Sequence, residues 1–426
     1  MKNLKKLLLV FLSIWFVEPT TFAQSNANVI GSKYTIASKV LGTDKEIQVY
    51  LPDTYQTSKE KYSVLYVIDG QWYFPLSVGV QHMLTQFKGA SVTPKFIIVS
   101  IVNANMRQRY RLLVGQKAKY QQFIAQELIP MVEGKFRTTK ERFLFGWQFA
   151  GSFALRVAGT NPTLFNACFA ADPYPLMTKF DTDVKDLYDA LPQIKQVNNL
   201  LCFYVGEHGE TVTEGANYLN DFLVKTKAKQ KGMQWVHQDL AGEEHRSTPF
   251  AALYRGLKRY YHNYPELVLH SFAEYKQKGG LEYIRNYYKE RAKRFGFGPE
   301  VKEWTLFTLL RSAARANQLE QFQQLMKDFE SEDFINKVRI QRALSVLSFY
   351  MRNQQPASAL KYYRELEKKN ANSARLHNAM GDAYLALNDK AKAKVCYKKA
   401  VELGTAQKDR RLPTYKKNLA KADGSK

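Results

Sequence analysis

From Tyr34 to about Tyr261, short apolar runs alternate with amphipathic stretches. Glu46-Ile47-Gln48-Val49-Tyr50-Leu51 largely alternates polar and apolar side chains, which predicts a strand with one buried face. Ser63-Val64-Leu65-Tyr66-Val67-Ile68 and Phe96-Ile97-Ile98-Val99-Ser100-Ile101 are almost continuously apolar, the pattern of strands covered on both faces. Phe143-Leu144-Phe145 and Leu200-Leu201-Cys202-Phe203-Tyr204-Val205 read the same way. Within Tyr120 to Phe136, the positions Phe123, Ile124, Leu128, Ile129 and Val132 recur at helical spacing. Strands interleaved with helices predict an α/β domain: a mostly parallel sheet with helices on both faces.

After about Pro265 the strand pattern stops and the chain reads as helices. Gly381, Tyr384, Ala393, Tyr397 and Ala400 occupy the small and aromatic positions of a helix-pair unit with a period of about 34 residues. One period earlier stand Leu347, Tyr350, Ala359, Tyr363 and Leu366, and a further step gives a degenerate copy at Ala313, Ala316, Leu325 and Phe329. This all-α region resembles tetratricopeptide repeats. Small residues let paired helices approach, aromatic rings fill the space between them, and the stack leaves a groove that suits a protein partner. The alternative is that these helices only extend the first domain. The expected divisions are 1–23, 24–264, a helical connector 265–300, repeats 301–407 and a basic tail 408–426.

The first of these divisions follows from its own pattern. Lys2, Lys5 and Lys6 lead into the apolar run Leu7 to Leu12, and Thr20-Thr21-Phe22-Ala23 places a small residue just before Gln24. That layout is a cleavable signal peptide, so the mature chain is expected in a periplasm or outside the cell. No later run approaches the ~18 apolar residues of a membrane span. The formal net charge is +24. The lysines are dispersed and no recognition motif accompanies them, so a weak pull toward acidic surfaces fits better than nucleic-acid binding. The densest basic run, Lys408 to Lys426, reads as a solvated tail. Cys168, Cys202 and Cys396 cannot all pair internally and read as packed thiols.

Candidate chemistry centres on Phe143-Leu144-Phe145-Gly146-Trp147-Gln148-Phe149-Ala150-Gly151-Ser152. A short strand enters a glycine, a sharp turn and a small-residue helix start, the layout of the Gly-x-Ser-x-Gly nucleophile elbow. Gly146 fits the first glycine, Gln148 stands at the serine position and Ala150 at the second glycine.

Other landmarks follow the elbow's lead: Leu65-Tyr66-Val67-Ile68-Asp69-Gly70-Gln71-Trp72; Asn103 and Arg107 after a strand; Gln126-Glu127-Leu128-Ile129-Pro130 ahead of Phe136-Arg137-Thr138; and His245 followed by Ser247, Thr248, Pro249, Tyr254, Gly256 and Leu257. In this order they resemble the putative-esterase family, which includes esterase D-like and ferric-enterobactin esterase-like enzymes of the α/β-hydrolase fold. The resemblance covers roughly half the chain. It implies a carboxylic ester hydrolase needing no cofactor or metal, acting on small esters, siderophore-like ones included. It also implies that Asp69, Gly70, Gln71, Trp72, Arg107, Trp147 and Phe149 border the ligand site and that His245 is the catalytic histidine. An ordinary surface histidine is the alternative for His245. For the acid, Glu210 in Gly206-Glu207-His208-Gly209-Glu210 is the first choice and Glu207 the second, with Asp172 a less favoured substitute.

Gln148 departs from this pattern. A carboxamide nitrogen is delocalised and gives histidine no proton to remove for attack, so an acyl-enzyme cannot form there. Ser152, one helical turn on, is expected to back-bond to the helix. Ala150 should crowd the turn unless the turn has relaxed, and Tyr110 replaces a family aspartate. His208, Glu207, Glu210, Glu243, Glu244 and His245 could surround a zinc ion, but their spacing matches no zinc-enzyme motif. The leading reading is thus a catalytically impaired esterase domain that binds a ligand or protein. A hydrolase working through a non-standard site and a pure repeat scaffold are the alternatives.

Overall fold

The computed structural model describes residues 29–86, 91–176, 185–207 and 210–423, with the side chains of Glu210 and Thr211 left aside. The expected signal segment 1–23 and His208 lie outside the described residues. Eight strands form one sheet in the order β1-β2-β4-β3-β5-β6-β7-β8. They span Ser32–Ser38, Thr43–Tyr50, Tyr62–Ile68, Phe96–Ile101, Thr138–Trp147, Ala167–Ala171, Asn199–Val205 and Met233–Asp239, numbered β1 to β8. β1 and β2 run antiparallel, as do β2 and β4; every later pair is parallel. This is the α/β-hydrolase arrangement, and it places the C-terminal ends of β3, β5 and β6 side by side.

Two apolar cores sandwich the sheet. One packs Tyr120, Phe123, Leu128 and the elbow helix Phe149–Thr160 against one face. The other packs the helices Gly70–Thr85 and Thr248–Tyr260 against the opposite face through Tyr73, Phe74, Val78, Leu253 and Leu257. β3, β4, β6 and β7 are buried along their whole length, which is why their sequences carry unbroken apolar runs. Cys168 and Cys202 are buried, one in each core.

A third core begins at Leu267 and is built mainly from helices. Its later helices pair as Glu303–Arg315 with Leu319–Asp328, Ile340–Arg352 with Pro356–Asn370, and Ala374–Ala386 with Lys390–Ala406. Gly381 has a packing reason: a Cβ there would lie 2.5 Å from the Tyr397 ring, so only glycine lets the last pair close. The basic segment after Lys408 is not a solvated tail as far as Asp423. Residues Leu412–Ala422 form a helix that buries Tyr415 beside Gly404 and Ala400. Among the described residues, no helix is long and apolar enough to cross a membrane.

Candidate active site

Strand register builds the site. Trp147 pairs with Ala171, so the next residues, Gln148 and Asp172, emerge together at the ends of neighbouring strands. The Gln148 N–H donates to Ala171 O at 3.0 Å, and the Asp172 N–H donates to Tyr204 O at 2.8 Å. Asp69, Gln148 and Asp172 take positive φ values of 60°, 52° and 43°. Such backbone costs about 1–3 kcal/mol per residue and persists where surrounding packing enforces it. Three strand ends therefore carry a strained residue at one mouth.

The elbow keeps its tension. Gln148 has φ 52° and ψ −122°. A Cβ on Gly146 would stand 2.2 Å from Ala150 O and 2.9 Å from Ala150 Cβ. The missing side chain of Gly146 is thus what accommodates the Ala150 methyl, and the turn has not relaxed around it. Ser152 donates to Gln148 O at 3.2 Å, so its oxygen is engaged with the helix backbone. The elbow helix starts at Phe149, so its first N–H groups lack intrahelical acceptors, the arrangement that supplies an oxyanion site in this fold.

Beside the elbow stands a formed histidine–carboxylate pair. His245 Nδ1 lies 3.0 Å from Asp172 Oδ2. Asp172 is fully buried, and its carboxylate also accepts from the Gly206 N–H at 2.8 Å and from the Thr248 hydroxyl at 2.5 Å. The His245 ring packs on Trp147 with centroids 4.5 Å apart, and the Trp147 indole N–H donates to His245 O at 3.0 Å. The other ring nitrogen, Nε2, meets Nε2 of the Gln148 amide. An amide N–H donating there requires the imidazole to carry its own proton on Nδ1, toward Asp172. The lone pair that would deprotonate a nucleophile is therefore held by an amide.

A buried polar chain braces the opposite wall. Asp69 accepts from Asn103 Nδ2 at 2.8 Å and from Arg109 Nε at 2.7 Å, and Arg109 donates on to Trp147 O at 3.1 Å. The Arg109 guanidinium lies within 6 Å of the Trp72, Trp147 and Phe149 ring centroids. Asn103 in turn accepts from Lys45 at 2.7 Å. Burial pulls the Lys45 ammonium from its ordinary 10.5 down to about 8, although Asp69 opposes the shift. The charged form is then penalised by about 3 kcal/mol in the folded chain. Between pH 8 and 10.5 the unfolded chain holds the extra proton, so this term raises stability as pH rises through that window. Urea unfolding of wild type and Lys45→Met at pH 7.5 and 10 checks it. The wild-type minus variant difference should shift in favour of wild type by roughly 2–3 kcal/mol; a pH-independent difference contradicts it.

A family model described as Putative esterase matches residues 38–278, over half of the chain. The chain belongs to this esterase family. A tetratricopeptide-repeat model matches residues 374–403, the last of the helix pairs. No curated protein sequence matches the chain significantly. Among solved structures, the IroE-like serine hydrolase from Shewanella oneidensis is 22% identical, with 71% of this chain and 99% of that one covered at a TM-score of 0.52. A protein from Capnocytophaga ochracea is 16% identical over 92% and 99% at 0.46, and the siderophore hydrolase EstA from Aspergillus nidulans is 17% identical over 57% and 99% at 0.47. The first likeness is one of fold.

Within the esterase domain the expected site residues mostly converge. Gln148 and His245 touch, and Trp147 and Phe149 flank them. Asp69 is buried at the brace, and Gly70 is buried so close to Ser100 that a Cβ would stand 2.5 Å from its hydroxyl. Gln71 Oε1 accepts from the Asn103 N–H at 2.9 Å, and Trp72 is half-exposed over Arg109. Two expectations need correction. Arg107 is exposed, and the arginine that enters the site is Arg109, two residues on. The carboxylate on His245 Nδ1 is Asp172; Glu207 Oε1 instead accepts from the Gly242 N–H at 2.8 Å, and the Glu210 side chain lies outside the described residues. The sequence held one signal for Asp172: it follows a five-residue buried strand directly, as Gln148 follows β5. Among the described residues, no group of three or more His, Cys, Asp or Glu side chains is placed to hold a metal ion.

Proposed function

We propose that this chain is an exported esterase-fold protein that binds a small ester-type ligand without forming an acyl-enzyme, joined to a repeat module that docks a protein. The supporting observation is the Gln148 amide against His245 Nε2, at the tip of a strained elbow where the fold places its attacking oxygen. Family membership favours a small ester, siderophore-type esters included, and the aromatic wall of Trp72, Trp147 and Phe149 offers apolar contact for it. The basic, then apolar, N-terminus supports export. Purified mature protein should hydrolyse p-nitrophenyl butyrate no faster than buffer, and His245→Ala should change nothing. The intact His245–Asp172 pair favours one competing reading, a hydrolase in which that pair activates water. It requires wild-type turnover that disappears in His245→Ala.

A further inference from the structure

At the N-terminal ends of β6, β7 and β8, the end of the sheet away from the elbow, the last turn of Thr248–Tyr260 meets the helix Gly280–Phe295. Together they line a cleft of about 370 Å³. Arg259, His262 and Arg294 share its lining with the amides of Asn166, Asn198 and Gln234, and no carboxylate belongs to it. Arg294 is partly committed: it donates to Tyr260 O at 3.0 Å and Asn263 Oδ1 at 3.2 Å, with Glu141 at 3.9 Å. His262 Nδ1 lies 3.3 Å from Arg259 O, so the carbonyls of this helix end already have donors. Arg259 differs. Among the described residues its exposed guanidinium has no carboxylate within ion-pair distance and no hydrogen bond, so its fork of donors faces solvent and is open to a ligand.

One further observation fits a missing ligand. Desolvation, and then the Arg259 and Arg294 charges, hold the His262 imidazole below its ordinary range, a repulsion that a bound anion would relieve.

We propose that this cleft binds a small multivalent oxyanion, phosphate- or polycarboxylate-bearing, with Arg259 as its forked donor and His262 and the amides completing the shell. Planar guanidinium groups match oxyanions two bonds at a time, and the volume is that of a small-molecule site. The site joins an arginine of the esterase domain to one on the first long helix after it, so an occupant would touch both.

Isothermal titration of the mature chain with inorganic pyrophosphate, and separately with citrate, tests this at sodium chloride matched for ionic strength. Saturable binding of one equivalent of either anion is expected, and the one that binds identifies the source chemistry. Arg259→Gln should weaken it at least about tenfold, the loss of one charge-assisted contact, with His262→Gln weakening it several-fold. Lys390→Gln removes the same charge from a remote helix, and His245→Ala disturbs the elbow; both should bind as wild type does. Absence of saturable binding for both anions, or equal losses in Arg259→Gln and Lys390→Gln, would overturn the proposal. Unchanged melting temperatures without anion establish that the variants are folded.

Discussion

Gln148→Ser is expected to raise ester turnover well above that of the wild-type chain. The backbone at this position already has the strained geometry that lifts a side chain above the sheet. Shortening the residue removes the amide from His245 Nε2 and puts a hydroxyl in reach of the same nitrogen. The imidazole is already oriented, with Nδ1 against the buried Asp172. Nucleophile and base acting as a unit account for many orders of magnitude in serine hydrolases. Because Ala150 and Tyr110 still depart from the family pattern at this mouth, a partial gain of roughly 10²–10⁴-fold over wild type is the expected range. Initial rates with p-nitrophenyl butyrate measure it. A folded Gln148→Ser chain as inert as wild type would show that the lesion lies elsewhere.

The second large effect tests the acid in that active background. Asp172→Asn in Gln148→Ser should lower kcat by up to about 10³–10⁴-fold, the scale of losing the correct imidazole tautomer, and so return turnover to near the wild-type level. An asparagine oxygen at the Oδ1 position can still accept from the Gly206 N–H, and the Thr248 hydroxyl keeps its bond to His245 O, so the fold around it should survive. Its amide would then face Nδ1 as a donor. The ring proton is driven to Nε2, which can no longer take a proton from serine. Glu207→Gln, whose carboxylate caps Gly242, should change kcat less than about threefold, as truncation away from the reacting atoms does. Equal losses in the two variants would return the acid assignment to the Gly206–Glu210 loop.

These effects turn on residues that the sequence disclosed unevenly. The central strands were legible because both faces of β3, β4 and β7 are covered, which forces continuous apolar runs. The edge strands β1 and β8 were not, because Ser32–Ser38 and Met233–Asp239 are largely exposed or half-exposed and mix polar residues in. The elbow was legible through Gly146, whose role is steric and local. Asp172 was legible only as a less favoured acid, since the pairing of Trp147 with Ala171 is what puts it beside Gln148, and register is a tertiary fact. The same applies to the arginines. In the short helix Met106–Tyr110, positions 107 and 109 diverge around the axis, and the buried Asp69 selects Arg109. At the C-terminus, lysine density masked the spacing of Leu412, Tyr415 and Leu419, which marks the buried stripe of a helix.

The most direct measurement is the intact mass of the mature chain after incubation with a fluorophosphonate, which labels an activated serine covalently. Wild type should keep its unmodified mass while Gln148→Ser gains one adduct, mapped by peptide sequencing to position 148. A stoichiometric adduct on the wild-type chain, at Ser152 or any other hydroxyl, would contradict the account.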